Sequence, residues 1–317
     1  MRGRIIRGSR NVFTVLDENN REIECRIKGK VLKGVDAYNP LAPGDWVEYQ
    51  GGEGGTGLIL GLEDRKNFYS RFNQKGGAPQ ILAANVDLVF CVTSPSSPPF
   101  RPRFLDRAVL QADSAGIEPV VICNKWDITP VPHEAEERLA DFSRIGYRVL
   151  FVSASTGLGI PELRRLMAGK VSVMVGQSGV GKSSLIRALD PTLPVRIGPL
   201  NQKYDRGNHT TCQAQLLALS ALNEKNEKGG ESGADGFVID TPGIRRFILD
   251  GIEPDELILY MRELSSLAGR CLFGLSCSHT GEKGCRVREA LASGALHGDR
   301  YESFLRITEE LRGGAYE

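Results

Sequence analysis

Apolar and polar positions alternate with a period of two through the first part of the chain. Val12-Phe13-Thr14-Val15-Leu16, Glu22-Ile23-Glu24-Cys25-Arg26-Ile27, Trp46-Val47-Glu48-Tyr49 and Gly57-Leu58-Ile59-Leu60 each carry it. Asp17 to Asn20 and the glycine-rich Gly51 to Gly55 supply turn chemistry between these segments. Five or so short strands in about 65 residues predict a small closed β-barrel of the oligonucleotide-binding type, an OB-fold. Such a barrel either binds nucleic acid or only supports its neighbour. Arg2, Arg4, Arg7, Lys28, Lys30 and Lys33 favour the first use. Arg65 to Gln80 holds Arg65, Lys66, Arg71 and Lys75 with Gly76-Gly77 and shows no period, so it reads as a basic linker.

From Val86 the period changes. Val86 to Val92 is a buried-type strand, and Phe104 to Ala115 is a helix with Leu105, Ala108, Val109 and Ala112 on one face, closed by Gly116. A strand at Val120 to Cys123, a helix at His133 to Ile145, a strand at Arg148 to Val152 and a helix at Pro161 to Met167 follow. The apolar run Val171 to Val175 is the next strand. Successive βα units predict an α/β domain with a parallel sheet covered on both faces. Gln213 to Leu222 and Phe237 to Ile239 extend the sheet. The Lys/Glu/Gly-rich Asn223 to Asp235 between them reads as a disordered, solvated tip. The expected division is a barrel over 1–68, the α/β domain over 75–250 and a helical domain over 251–317.

Ligands on such a sheet bind at the carboxyl ends of its strands, and the candidate chemistry falls there. Gly176, Gln177, Ser178, Gly179, Val180, Gly181, Lys182 and Ser183, followed by Ser184, fit the phosphate-loop pattern G-x-x-x-x-G-K-[ST] between a strand and a helix. Backbone N–H groups there can cradle phosphate, Lys182 can reach the β- and γ-phosphates, and the Ser183 hydroxyl can take a place on Mg²⁺. Asn124-Lys125-Trp126-Asp127 follows the Val120–Cys123 strand. A carboxylate at Asp127 can accept from guanine N1–H and N2–H₂, a pair that adenine lacks, and discrimination of about 10⁴-fold is within reach. Asn124 tethers that loop, and the stem of Lys125 can cover the ring. Ser153-Ala154-Ser155 offers N–H groups for the guanine O6. Asp240-Thr241-Pro242-Gly243 follows the last strand: Asp240 is a second Mg²⁺ candidate, and the Gly243 N–H can sense the γ-phosphate. The polar loop from Asn201 to Cys212 carries His209, Thr210 and Thr211, and one of these threonines is expected to close on Mg²⁺.

Composition narrows the setting. The chain has 317 residues, a net charge of +1 and seven cysteines. No signal-peptide core and no apolar run long enough for a membrane span is present, so a cytoplasmic protein without membrane contact is expected. Cys25, Cys91, Cys123 and Cys212 are scattered and read as small buried apolar residues. Cys271, Cys277, His279 and Cys285 form a compact Cys₃His set, which suits one structural, tetrahedral Zn²⁺. Helical segments at Val287–Ser293 and Arg300–Leu311 follow it. There Arg286, Arg288 and Arg306 are either contacts for nucleic-acid phosphates or a solvated face.

The order of the motifs carries a resemblance. In an ordinary GTPase the phosphate loop comes first and Asn-Lys-x-Asp late; here Asn124–Asp127 and Ser153-Ala154 precede Gly176–Ser183 and Asp240–Gly243. A circularly permuted P-loop GTPase domain behind a barrel, with Gly207-Asn208-His209-Thr210-Thr211 in the switch, resembles the bacterial small-ribosomal-subunit-dependent GTPase A family. The resemblance covers nearly the whole chain, although five residues separate Cys271 from Cys277 where the family has four. It implies a monomer that binds GTP and GDP with Mg²⁺. It also implies hydrolysis stimulated by the small ribosomal subunit and its rRNA during late maturation of that subunit. Ile244 stands where many GTPases place the glutamine that orients water, so His209 becomes the candidate for that role, the alternative being a packing or rRNA contact. A competing class is a binding module in which nucleotide is only a structural ligand. Because the Asp240 turn lies near the end of the GTPase domain, its motion is expected to feed into the zinc segment.

Overall fold

The computed structural model describes residues 1–9, 11–28, 37–51, 56–195, 213–219 and 236–313. Lys30, Lys33, Cys212, the His209–Thr211 segment and residues 223–235 lie outside them. The alternating segments form β1 (Arg2–Ser9), β2 (Val12–Asp17), β3 (Glu22–Ile27), β4 (Trp46–Gln50) and β5 (Thr56–Leu62). They close in the order β1-β2-β3-β5-β4, with β3 and β5 parallel and β1 antiparallel to β4, the OB connection. Phe13, Val15, Cys25, Val47, Tyr49 and Ile59 fill the barrel. β1 lacks a clean alternation because both of its isoleucines are buried. Ile5 enters the barrel core and Ile6 the core of the next domain, with a register shift between Ile5 and Arg7.

The basic linker expected at Arg65–Gln80 is instead an antiparallel hairpin, β6 (Phe68–Asn73) and β7 (Ala78–Ala84). A bulge between Tyr69 and Ser70 breaks the period, which is why alternation does not reveal it. Tyr69 is fully buried, donates to the Ala108 carbonyl at 3.0 Å and packs on Phe247.

The sheet runs in the order β10-β9-β8-β11-β13-β12, from β8 (Leu88–Thr93), β9 (Glu118–Cys123), β10 (Arg148–Phe151), β11 (Val171–Gly176), β12 (Gln215–Leu219) and β13 (Gly236–Asp240). Among these only β12, at an edge, is antiparallel to its neighbour. Helix α1 (Pro102–Ser114) and helix α2 (His133–Arg144) cover one face through Leu105, Val109, Leu139 and Phe142. Helix α3 (Ile160–Met167) and helix α4 (Lys182–Leu189) cover the other through Leu163, Met167, Leu185 and Leu189.

The chain ends in α5 (Leu257–Tyr260), α6 (Arg262–Ser265), a 3₁₀ turn (Gly274–Ser276), α7 (Arg286–Ala292) and α8 (Gly298–Gly313). The last helix is fastened to the sheet layer through charge. Asp106 on α1 accepts from Arg138 at 3.0 Å and from Arg300 at 2.8 Å, and also from the Ser303 hydroxyl. Arg300 in turn makes a two-pronged pair with Glu263 at 2.6 and 3.1 Å. Asp106, Arg138 and Arg300 are each 1% exposed, so Asp106→Ala leaves two buried guanidiniums without their shared anion. We expect a loss of about 3–5 kcal/mol, read as a lower midpoint in urea. Arg103→Ala, which removes an open pair with Glu302 at 3.9 Å, should shift it by less than about 0.5 kcal/mol.

Candidate functional site

The parallel strands bring their carboxyl ends to one edge, where Gly176 lies beside Val92 and Thr93 beside Cys123. The phosphate-loop lysine sits at that edge with 7% exposure. Its Nζ donates to the Gly176 carbonyl at 2.9 Å and the Gln177 carbonyl at 3.3 Å. Burial lowers the Lys182 ammonium to about 8, against the opposing pull of Asp240. The Ser183 hydroxyl donates to Asp240 at 3.3 Å, so the two expected Mg²⁺ residues meet. Ser184, half-buried, continues the helix.

The turn after β13 packs directly on the loop. The Thr241 hydroxyl donates to the Met174 carbonyl at 2.6 Å, and Ile244 N–H donates to the Gly176 carbonyl at 3.1 Å. A Cβ at Gly243 would stand 2.7 Å from Ser178 Cα, so only glycine allows this approach. Ile244 is buried in the core, and its side chain cannot orient water.

On the base side, Asn124 is 1% exposed. Its amide donates to the Val180 carbonyl at 2.8 Å and accepts from Ala154 N–H at 3.1 Å, while its own N–H donates to Thr93. Of the N–H groups expected to meet the guanine O6, that of Ala154 is thus directed at Asn124. A Cβ at Gly181, whose φ is +94°, would strike the Asn124 amide at 2.3 Å. Lys125, with φ +64°, donates to the carbonyls of Ser97 at 2.6 Å and Gly179 at 2.7 Å, so its stem bridges toward the phosphate loop. Trp126 packs on Phe151 at 4.3 Å. Asp127 is exposed, and the hydroxyls of Ser153 and Ser155 hold its carboxyl below the usual range. His209, Thr210 and Thr211 lie outside the described residues. Sequence reasoning missed the carbonyl contacts of Lys182 and Lys125, which no spacing signals.

A second cluster forms in the helical segment. Cys271, Cys277, His279 and Cys285 are all buried, with ligand atoms within 4.8 Å of one another. His279 Nδ1 stands 3.5 Å from Cys271 Sγ and 3.4 Å from Cys285 Sγ, and the two sulfurs are 4.0 Å apart. Tetrahedral metal–sulfur and metal–nitrogen bonds ask for roughly 3.5–3.8 Å between donors, so the set fits one ion. The five-residue spacer turns through the 3₁₀ segment and keeps Cys271 in the cluster. Arg286 N–H donates to Cys271 Sγ at 3.3 Å, and the Tyr301 hydroxyl donates to the His279 carbonyl at 2.7 Å.

Chain order decides the class: the base-side loops on β9 and β10 come before the phosphate loop on β11 and its Asp240 turn on β13. The chain is a circularly permuted P-loop GTPase. A model of the RsgA GTPase family matches residues 62–250. Relatives called small ribosomal subunit biogenesis GTPase RsgA come from Geobacillus sp. (36% identical, over 98% of this chain and 97% of theirs) and Thermotoga maritima (35%, over 98% and 97%). The crystal structure of YjeQ from Thermotoga maritima superposes with a TM-score of 0.71 at 31% identity, covering 98% of both chains. The structure of YloQ, a circularly permuted GTPase, superposes with a TM-score of 0.66 at 24% identity, covering 100% of this chain and 96% of that one. The chain belongs to the RsgA GTPase family.

Polyphosphate beside Lys182 would raise its pKa, so binding takes up a proton wherever the free lysine is neutral. Below about 8 both states are charged and affinity is flat; above it affinity falls, by up to about tenfold per pH unit. GDP titrations between about pH 7 and 9 should therefore weaken at the alkaline end; a constant Kd would contradict the shift.

Proposed function

We propose that this chain acts in maturation of the small ribosomal subunit, binding its rRNA and hydrolysing GTP faster when docked on it. The observation that carries the reading is the Asn124 side chain, which ties the base-side loop to Val180 and Ala154. Asp127 and Lys182 thereby belong to one nucleotide site. The names of the relatives supply the subunit. Among the described residues no helix is long and apolar enough to cross a membrane. In this reading the chain acts as a cytoplasmic monomer on that partner.

In this reading Asp127 accepts two guanine hydrogen bonds, Lys125 covers the ring, and the N–H groups of the phosphate loop hold the phosphates. Lys182 leaves the Gly176 and Gln177 carbonyls for the β- and γ-oxygens. Mg²⁺, held by Ser183 and through Asp240, would offset charge on the phosphates. Gly243 N–H then faces the γ-phosphate. With Ile244 unable to act, subunit binding would bring His209 to the attacking water, and Thr210 or Thr211 would be a further ligand for Mg²⁺. The Cys₃His set holds Zn²⁺ as a structural ion, since four protein ligands leave no open position.

Basal turnover should be on the order of 10⁻⁴ s⁻¹ and rise with isolated small subunits, but not with large ones. Absence of stimulation by any ribosomal particle would refute the reading. His209→Ala should bind GTP and subunits normally yet lose most of the stimulated rate. If it responds like wild type, another group orients the water. Asp127→Asn should weaken GTP roughly 100-fold and favour xanthosine nucleotides, an outcome read by competition titration. Cys277→Ala should release zinc and make the C-terminal segment protease-sensitive while basal hydrolysis survives; metal-free wild-type protein with the same protease resistance would rule zinc out.

A further inference from the structure

A cavity of about 550 Å³ opens between the start of α1, residues 245–248 after the Asp240 turn, and α8. The guanine-side residues take no part in it, but Gln177 of the phosphate loop does. Its size lies within the range of small-ligand sites. We infer that this cavity is a second anion site, built to hold phosphate groups.

Charge is the first reason. Most lining carboxylates already have cations: Asp106 holds Arg138 and Arg300, Glu310 pairs with Arg107 at 2.5 Å, and Asp299 stands 3.6 Å from Arg138. Glu302 stands 3.9 Å from both Arg103 and Arg306. Arg101, Arg245 and Arg246, all exposed, have no carboxylate partner among the described residues, against one unpaired carboxylate, Glu134. Three unmatched guanidiniums offer the planar forks that suit phosphate oxygens.

Two further observations point inward. Gln177 is 8% exposed and lines the cavity. A side-chain amide on the wall can donate to a phosphate oxygen. Helix α1 also starts at this cavity with no acidic residue in its first turn and no side-chain cap. Arg101 and Arg103 therefore stand at the positive end of a helix dipole, where an anion is the favoured neighbour. The wall opposite is held in place: Arg71 donates to the Arg246 carbonyl at 3.3 Å and Phe72 N–H to the Ile248 carbonyl at 3.0 Å. A phosphate bound here touches both the phosphate loop and the segment that follows Gly243.

The test uses protein saturated with GDP, so that the nucleotide site is filled. Inorganic tripolyphosphate and a 12-residue oligouridylate are titrated separately and in competition against wild type and Arg101→Gln/Arg246→Gln. We expect at least one probe to bind wild type and to weaken by about tenfold or more in the variant, with a shallower salt dependence. GDP affinity and melting temperature should be unchanged. Binding of tripolyphosphate alone identifies a free phosphorylated molecule as the source; oligouridylate that displaces it identifies an RNA strand. Equal binding by wild type and variant, or no binding of either probe, overturns the inference. Because GDP affinity is measured separately, that outcome leaves the GTPase reading standing.

Discussion

The candidate nucleotide site depends on one buried amide. Asn124 reaches three separate pieces of chain, with its N–H on Thr93, its Nδ2 on Val180 and its Oδ1 on Ala154. At 1% exposure none of these bonds competes with water, so each contributes near the upper part of the usual range for hydrogen bonds. The surrounding geometry follows from it. Gly181 must lack a side chain because the amide occupies that space, and the loop that offers Asp127 is fixed relative to the loop that offers Lys182. A rigid base-to-phosphate span is what lets a P-loop protein select a nucleotide rather than phosphate alone.

Permutation changes what the switch turn is attached to. Residues 246–250 are bound to the β6–β7 hairpin through Phe72, Arg71 and Ser70, whose hydroxyl donates to Asp250 at 2.6 Å. They are bound to α1 through the paired bonds of Gln111 with Asp250 at 2.8 and 3.0 Å. A displacement of the Asp240–Gly243 turn therefore loads the hairpin and α1 first, ahead of the Cys₃His segment. The route foreseen from chain order, straight into that segment, is joined by a route through space.

Legibility in the sequence followed the range of the interactions. A phosphate loop needs consecutive backbone N–H groups, so the candidate loop Gly176–Ser183 is contiguous and can be read directly. The Cys₃His cluster spans fifteen positions (271 to 285) and is nearly as local. β1 and β6 were obscured because Ile5 and Ile6 are buried on opposite faces, and because a bulge interrupts the period at Tyr69 and Ser70. Asp106 falls within the predicted Phe104–Ala115 helix but off the apolar positions that define it. Its role comes from Arg300, 194 residues away, and no periodicity encodes that distance. The directions of Lys182 and Lys125 were equally hidden, since they are set by carbonyls that the fold presents.

That long-range ion cluster also bears on how the chain is made. Synthesis delivers α1 and α2 early, and Arg138 can find Asp106 as soon as both have emerged. The second guanidinium and the Ser303 hydroxyl arrive only with the last helix. Until then the Asp106 side of α1 lacks its α8 neighbour, and Glu263 waits without its fork. A domain that folds vectorially from its N-terminus is thus denied its final closure until α8 has been made. Release of the C-terminal helix becomes the event that locks the GTP-binding layer.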